Sequence, residues 1–161
     1  MVFMFYLLRI SSYLIFSILL VSCASTEKHE VYDSLADKPA GYKYKAWRLT
    51  DATEFEAINV LLNEVDALIE NSSFDAATDK LERVLRIRAD YAPAWSRLSW
   101  IALQTDSPKR SVDMAKRSNS FAQSNVQLQL LNWSFIRAAS KALNDDATYQ
   151  RANQKINALT I

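Results

Sequence analysis

Few residues of this 161-residue sequence end or bend secondary structure, because it contains one Gly and three Pro. Tight β-hairpin turns need residues at positive φ, which glycine adopts most readily, so the shortage argues against a fold rich in β-hairpins. It also argues against glycine-rich loops that cradle phosphates and fingerprints that bind dinucleotides. We therefore expect helices joined by short loops and no nucleotide chemistry.

Histidine and cysteine are equally scarce, with one of each, His29 and Cys23. A Cys/His metal site or a Cys-His catalytic pair is therefore difficult to assemble inside a folded domain. His29 has no second site group beside it and is interpreted as a solvated residue. Beyond residue 50 no Ser has a His to activate it, and the acids are scattered. We expect no enzyme activity, cofactor, metal or small-molecule substrate.

Residues 1–22 are apolar and carry one charge, Arg9, followed by an uncharged run over 10–21. This run has the length of a signal-peptide core and is shorter than the roughly 20 apolar residues that cross a bilayer. It predicts an export signal over 1–22. The alternative is an uncleaved apolar anchor followed by an incidental Cys.

The end of this segment, Leu20-Val21-Ser22-Cys23, resembles the lipobox of bacterial lipoproteins. The resemblance implies cleavage before Cys23 and acylation of its thiol and new amino group. Each buried acyl methylene stabilises membrane attachment by about 0.8 kcal/mol. The residues that follow Cys23 lack the Asp that would retain an enteric lipoprotein in the inner membrane. The resemblance therefore implies an outer-membrane anchor, with the protein facing the periplasm.

Removing residues 1–22 removes one basic residue and no acid, so Lys plus Arg falls from 19 to 18 and equals the 18 Asp plus Glu. A nucleic-acid-binding protein would have a basic excess on one face. We therefore expect no nucleic-acid partner.

Residues 23–50 show no sustained helical period and contain Gly41 and Pro39. They are interpreted as a flexible tether, whose span is on the order of 30 Å and whose stretched reach is about 90 Å. Tyr42, Tyr44 and Trp47 alternate there with basic residues. They form either a contact for a partner or glycan or, as the favoured alternative, a segment whose Trp47 docks on its own domain.

Residues 51–161 predict an all-α domain of six amphipathic helices. A cap at Asp51 begins the first, and apolar residues recur at spacings of three and four in each. The second helix covers 74–88 and the third covers 93–104. Ser107-Pro108 precedes the fourth helix, a capping box of Ser124 with Gln127 precedes the fifth, and Asn144-Asp145 precedes the sixth. The expected buried faces are Phe55, Ile58, Leu62, Val65 and Ile69; Ala77, Leu81, Val84 and Leu85; Trp95, Leu98 and Ala102; Val112, Ala115 and Ser118; Val126, Leu130, Trp133, Ile136 and Ala139; and Tyr149, Ala152 and Ile156.

Phe74, Ala77 and Trp95 stand at landmark positions of the tetratricopeptide repeat (TPR), which this segment resembles. Leu61 and Trp95 are 34 residues apart (95 − 61), as are Ala77 and Ser111 (111 − 77), which is the TPR period. The resemblance implies a TPR-like α-solenoid of about three helical hairpins, each with its first helix lining a concave groove. Ala89 replaces the usual helix-ending Pro of the family.

The TPR pattern, carried over by position, implies nine groove residues that bind a partner. Trp100 and Trp133 occupy equivalent places in successive repeats, and two such aromatics form a plausible interface hot spot. The alternative is that they stack on each other, or under the tether, as ordinary core; this alternative is favoured for Trp133, and the groove is favoured for Trp100. The nine predicted groove residues are Asn59, Leu62, Asp66, Ser96, Trp100, Leu103, Gln129, Trp133 and Arg137.

A second resemblance, to short TPR lipoproteins of Gram-negative bacteria, is carried by three segments: AWSRLSWIAL, AKRSNSFA and LLNWSFIRAA. The pairs Ser118-Asn119 and Asn132-Trp133 carry this resemblance. It extends to the LpoP-type lipoproteins, which stimulate class A penicillin-binding proteins. The resemblance implies an activator of peptidoglycan synthesis. Two alternatives are a pilotin-like assembly factor for a secretin and an adaptor for a periplasmic protease.

Overall fold

The computed structural model describes residues 53–160, and this part of the chain contains six α-helices and no strand. The predicted all-α class is therefore confirmed. The predicted signal peptide over 1–22, the lipidated Cys23, the tether over 23–50 and the cap at Asp51 lie outside the described residues. The helices are α1 (Thr53–Glu70), α2 (Phe74–Ile87), α3 (Ala92–Gln104), α4 (Pro108–Phe121), α5 (Val126–Ala142) and α6 (Asp146–Thr160).

Each helix packs against the next one along the chain, and α3 also packs against α5. The loops alternate in length: α1–α2, α3–α4 and α5–α6 are joined by three residues, whereas α2–α3 and α4–α5 are joined by four. Such short loops force consecutive helices to lie side by side. The described residues therefore form three helical hairpins, joined end to end along the chain.

The predicted apolar faces are the buried faces of the helices. Leu62 of α1, Leu81 of α2, Ala115 of α4 and Ala152 of α6 are each 0% exposed. Five of the predicted residues are only half-buried: Phe55, Leu85, Trp95, Trp133 and Tyr149. The prediction for Val126 was wrong: it is 43% exposed, because it is the first residue of α5 and lies beyond the packed part of that helix.

The three loops within the hairpins share one backbone turn. Ser72, Asp106 and Asn144 have φ of 56°, 51° and 55°, and each follows α1, α3 or α5 closely. In each loop the residue that follows the left-handed one donates its N–H to the carbonyl five residues before it, at 2.8 to 2.9 Å. This is the Schellman turn, which satisfies carbonyls at a helix end and usually places glycine at the left-handed position. Here three residues with side chains occupy it.

The helix starts follow the predictions in part. Pro93 and Pro108 lie in the first turns of α3 and α4, as expected. The predicted capping box was wrong, because Asn125 and not Ser124 caps α5, its Oδ1 accepting the N–H of Leu128 at 3.0 Å. Ser107 occupies the cap position of α4, but its hydroxyl donates to the Thr105 carbonyl instead.

Candidate functional site

The nine predicted groove residues come from α1, α3 and α5, the first helix of each hairpin. Their exposure divides them into two sets. Leu62, Asp66, Ser96, Trp100 and Arg137 are buried, with at most 4% of each exposed. Asn59, Leu103, Gln129 and Trp133 are half-buried. The second set offers side-chain surface to a partner, and the partner contact of all nine stays a prediction.

Asp66 and Arg97 form a buried ion pair between α1 and α3. The distance from Arg97 Nη2 to Asp66 Oδ1 is 3.3 Å, and their side chains are 0% and 6% exposed. Charges removed from water are costly unless they compensate each other, so this contact ties the first hairpin to the second. Arg97 was not among the predicted site residues. Its position inside the apolar run 92–102 was a signal that it needs a buried partner.

Trp100 packs edge-on against Phe74, with ring centroids 5.8 Å apart and an interplanar angle of 73°. Edge-to-face contact is a favoured arrangement of two aromatic rings, and it holds the start of α2 against α3. Trp100 is 2% exposed. The alternative interpretation of Trp100 as core therefore describes its packing in this structure.

Arg137 and Trp133 lie on α5 and differ in their surroundings. Arg137 is 2% exposed, and its Nη1 donates to Oδ1 of Asn153 on α6 at 3.5 Å. Trp133 packs against the core but keeps part of its ring exposed. Of the two predicted groove tryptophans, Trp133 is therefore the one that keeps side-chain surface exposed.

The two sequence pairs that carry the second resemblance meet in one buried hydrogen-bond network. Asn132 Nδ2 donates to Ser118 Oγ at 2.8 Å and to Asn119 Oδ1 at 2.9 Å. Ser118 Oγ donates in turn to the carbonyl of Ala92 at 2.8 Å. Ser118 and Asn132 are 0% exposed. The network joins α5, α4 and the start of α3, so these residues fix the packing of the second hairpin on the third.

A second polar contact marks the place where α3 and α4 approach closely. Ser99 Oγ lies 2.9 Å from both the carbonyl oxygen and the Oγ of Ser111. Both serines are 0% exposed. Their small side chains let the two backbones come together, and their hydroxyls satisfy one another there. Ser99 therefore lies on the buried side of α3, beside Leu98.

No group of three or more His, Cys, Asp or Glu within the described residues could hold a metal ion. Over the same part of the chain, no helix is long and apolar enough to cross a membrane. One carboxyl is shifted: hydrogen bonds from the side chain and backbone of Thr148 hold the pKa of Asp145 below its ordinary value of 3.8. Asp145 precedes α6 and acts there as a helix cap, because its Oδ1 accepts the N–H of Thr148 at 3.0 Å.

Comparisons with protein-family models, with curated proteins and with solved structures found no match to this chain.

Proposed function

We propose that this chain is a lipid-anchored, TPR-like binding protein of the periplasm, and that it stimulates a class A penicillin-binding protein. The observation that carries the TPR-like part is the repetition of one turn. The left-handed residues Ser72 and Asp106 end α1 and α3 and are 34 residues apart (106 − 72), which is the TPR period. The left-handed residue of the third hairpin, Asn144, follows Asp106 after 38 residues (144 − 106), so the last hairpin deviates from the period; Gln123, also left-handed, lies in the loop between α4 and α5.

The order of helix packing supports the same proposal. In a repeat array each element contacts its neighbours, and the first helices of successive hairpins line a shared surface. Here every helix packs on the next one, and α3 also packs on α5. Such a domain binds other proteins through exposed side chains on its first helices. The predicted contacts whose exposure suits this role are Asn59, Leu103, Gln129 and Trp133.

The choice of partner is supported by the sequence resemblance to the LpoP-type lipoproteins. The segments that carry it contribute Ser118, Asn119 and Asn132 to the buried network and Trp133 to the partly exposed surface. In this proposal the network sets the relative position of the second and third hairpins, and Trp133 contacts the synthase.

The experiment is an assay of glycan-strand synthesis by a purified class A penicillin-binding protein, with and without the full-length chain. We expect faster synthesis, and we expect Trp133→Ala to weaken the apparent affinity by roughly 30-fold, because a central tryptophan contact is commonly worth 2 kcal/mol or more. Leu103→Ala, also on the predicted groove, should weaken affinity as well. Leu143→Ala is the matched control, since Leu143 is exposed and lies in the α5–α6 loop.

Several outcomes would contradict the proposal. An unchanged rate of glycan synthesis would contradict the synthase as the partner. Equal losses of affinity for Leu103→Ala and Leu143→Ala would contradict the groove as the binding surface. Missing secretin multimers in a deletion strain would favour the assembly-factor alternative, and accumulating protease substrates would favour the adaptor. The anchor is tested separately by labelled palmitate, which the chain should incorporate and the Cys23→Ser variant should not.

A further inference from the structure

A second surface of the domain contains a groove between α2, α3 and α4, with a volume of about 350 Å³. Its floor is apolar and consists of Leu85, Trp95, Leu98 and Met114. Leu98 is buried, and the other three keep part of their surface exposed. The Trp95 indole N–H donates to the Ala89 carbonyl at 2.8 Å, which fixes the ring, while the Met114 side chain can adapt to an occupant. None of these four residues belongs to the predicted groove of the first helices.

Charged side chains form the rim of this second groove. Glu82 and Arg86 come from α2 and Arg110 from α4. Arg110 Nη2 lies 4.0 Å from Glu82 Oε1, at the outer limit of an ion pair between two exposed side chains, so the contact is weak. Arg117 lies over the Trp95 ring at 4.8 Å from the centroid. Arg86 and Arg110 therefore stand at the opening with one carboxylate, and Arg117 lies on the Trp95 ring.

The exposed side of α4 extends this positive charge. Lys109, Arg110, Lys116 and Arg117 are exposed along it, and the acid among them is Asp113. Such a surface attracts negative charge over a distance of several ångströms, and arginine forks bind carboxylates through two parallel hydrogen bonds. The charge around the groove is therefore complementary to an acidic ligand.

We propose that this arginine-rimmed groove binds an acidic segment of a partner protein. One large apolar side chain of that segment enters between Trp95 and Met114, and neighbouring carboxylates pair with Arg86 and Arg110. The concave apolar floor favours a protruding side chain over a flat membrane surface, because a bilayer cannot follow a recess of this size. The inference goes beyond the proposed function, since it holds whether or not the partner is a penicillin-binding protein.

The test pans a library of random displayed peptides on the immobilised full-length chain. Enriched peptides should carry an aromatic or branched aliphatic residue flanked by Asp and Glu. A synthetic peptide of the enriched sequence should bind the Arg86→Glu/Arg110→Glu variant at least about tenfold more weakly than it binds the wild type. Arg83→Glu/Arg151→Glu is the matched control, because it makes the same change in net charge at exposed arginines that do not line the groove.

Three results would overturn the proposal: no enrichment, enriched peptides without acids, or equal affinity for the two charge-reversed variants. Phosphatidylglycerol vesicles that bind the wild type but not Arg86→Glu/Arg110→Glu, without peptide enrichment, would assign the surface to membranes instead. Circular dichroism checks that each variant folds. A variant that does not fold is replaced by Arg86→Gln/Arg110→Gln together with Met114→Ala. Because glycan synthesis and Trp133→Ala are not used here, this test can fail independently of the proposed function.

Discussion

Between the first and second hairpins, a buried ion pair joins Asp66 and Arg97, whereas uncharged hydrogen bonds around Ser118 and Asn132 join the second hairpin to the third. We call these the charged junction and the neutral junction. A buried ion pair is stable only while both partners are present, because each charge alone is poorly solvated. A neutral network loses only the hydrogen bonds of the replaced side chain, and no charge is left buried. The two junctions should therefore respond very differently to single substitutions.

The largest effect is expected at the charged junction. Asp66→Ala leaves Arg97 buried without this carboxylate and should lower the free energy of unfolding by about 3 to 5 kcal/mol, measured by urea denaturation. Replacing both residues, as Asp66→Leu/Arg97→Met, should recover part of that loss. Glu82→Ala, at the exposed pair with Arg110, is the control and should change stability by less than about 0.5 kcal/mol. A loss at Asp66 no larger than the control would show that the pair does not hold the junction.

A smaller effect is expected at the neutral junction. Asn132→Ala removes the hydrogen bonds to Ser118 and Asn119 and should cost about 1 to 3 kcal/mol. Asn63→Ala replaces an exposed Asn of α1 and should be close to neutral. If Asn132→Ala destabilised the domain more than Asp66→Ala, the ranking of the two junctions would be reversed.

The turns inside the hairpins provide a third and smaller test. Ser72→Gly relieves the backbone strain of a left-handed residue at φ 56°. It should stabilise the first hairpin by about 0.5 to 1 kcal/mol. Asn144→Gly should gain less, because Asn tolerates this conformation better than Ser. Ser73→Gly is the neighbouring control at φ −85° and should gain nothing. Equal gains at all three positions would mean that backbone strain at Ser72 is not the cause.

The smallest expected effect concerns pH at the start of α6. The folded pKa of Asp145 lies below 3.8, so its stabilising effect is present above that pH and is lost as the pH falls through the lower folded value. Asp145→Asn keeps a capping oxygen but removes this titration. The unfolding free energy of the variant should therefore fall less on acidification than that of the wild type. Identical acid profiles would contradict the assignment.

The sequence predicted the helices and most of their buried faces because both follow from the spacing of apolar residues. It did not predict how deeply the inner helices are buried. Ten of the 13 residues of α3 are buried, against three of the 14 in α2, because α3 packs on α2, α4 and α5. Helical spacing defines one apolar face per helix and does not show that a second face is covered. Trp100 is therefore 2% exposed although the TPR pattern placed it on a groove.

The sequence indicates the two proposed binding surfaces to different degrees. Trp133 could be chosen from the TPR positions, because these fix which face of α5 it occupies. The groove between Trp95 and Met114 could not, since it depends on the distance between α2 and α4, which lie on different hairpins. Likewise, sequence spacing does not indicate that Arg97 and Asp66 meet across 31 residues.

The short loops also determine how the chain can reach its fold. Each hairpin closes over three residues, and most helix packing joins elements that are consecutive in sequence. Bringing such near neighbours together costs little chain entropy, and topologies of this kind fold within microseconds to milliseconds. Closing each hairpin therefore costs little chain entropy, and the burial of α3 is completed when the neighbouring hairpins pack on it.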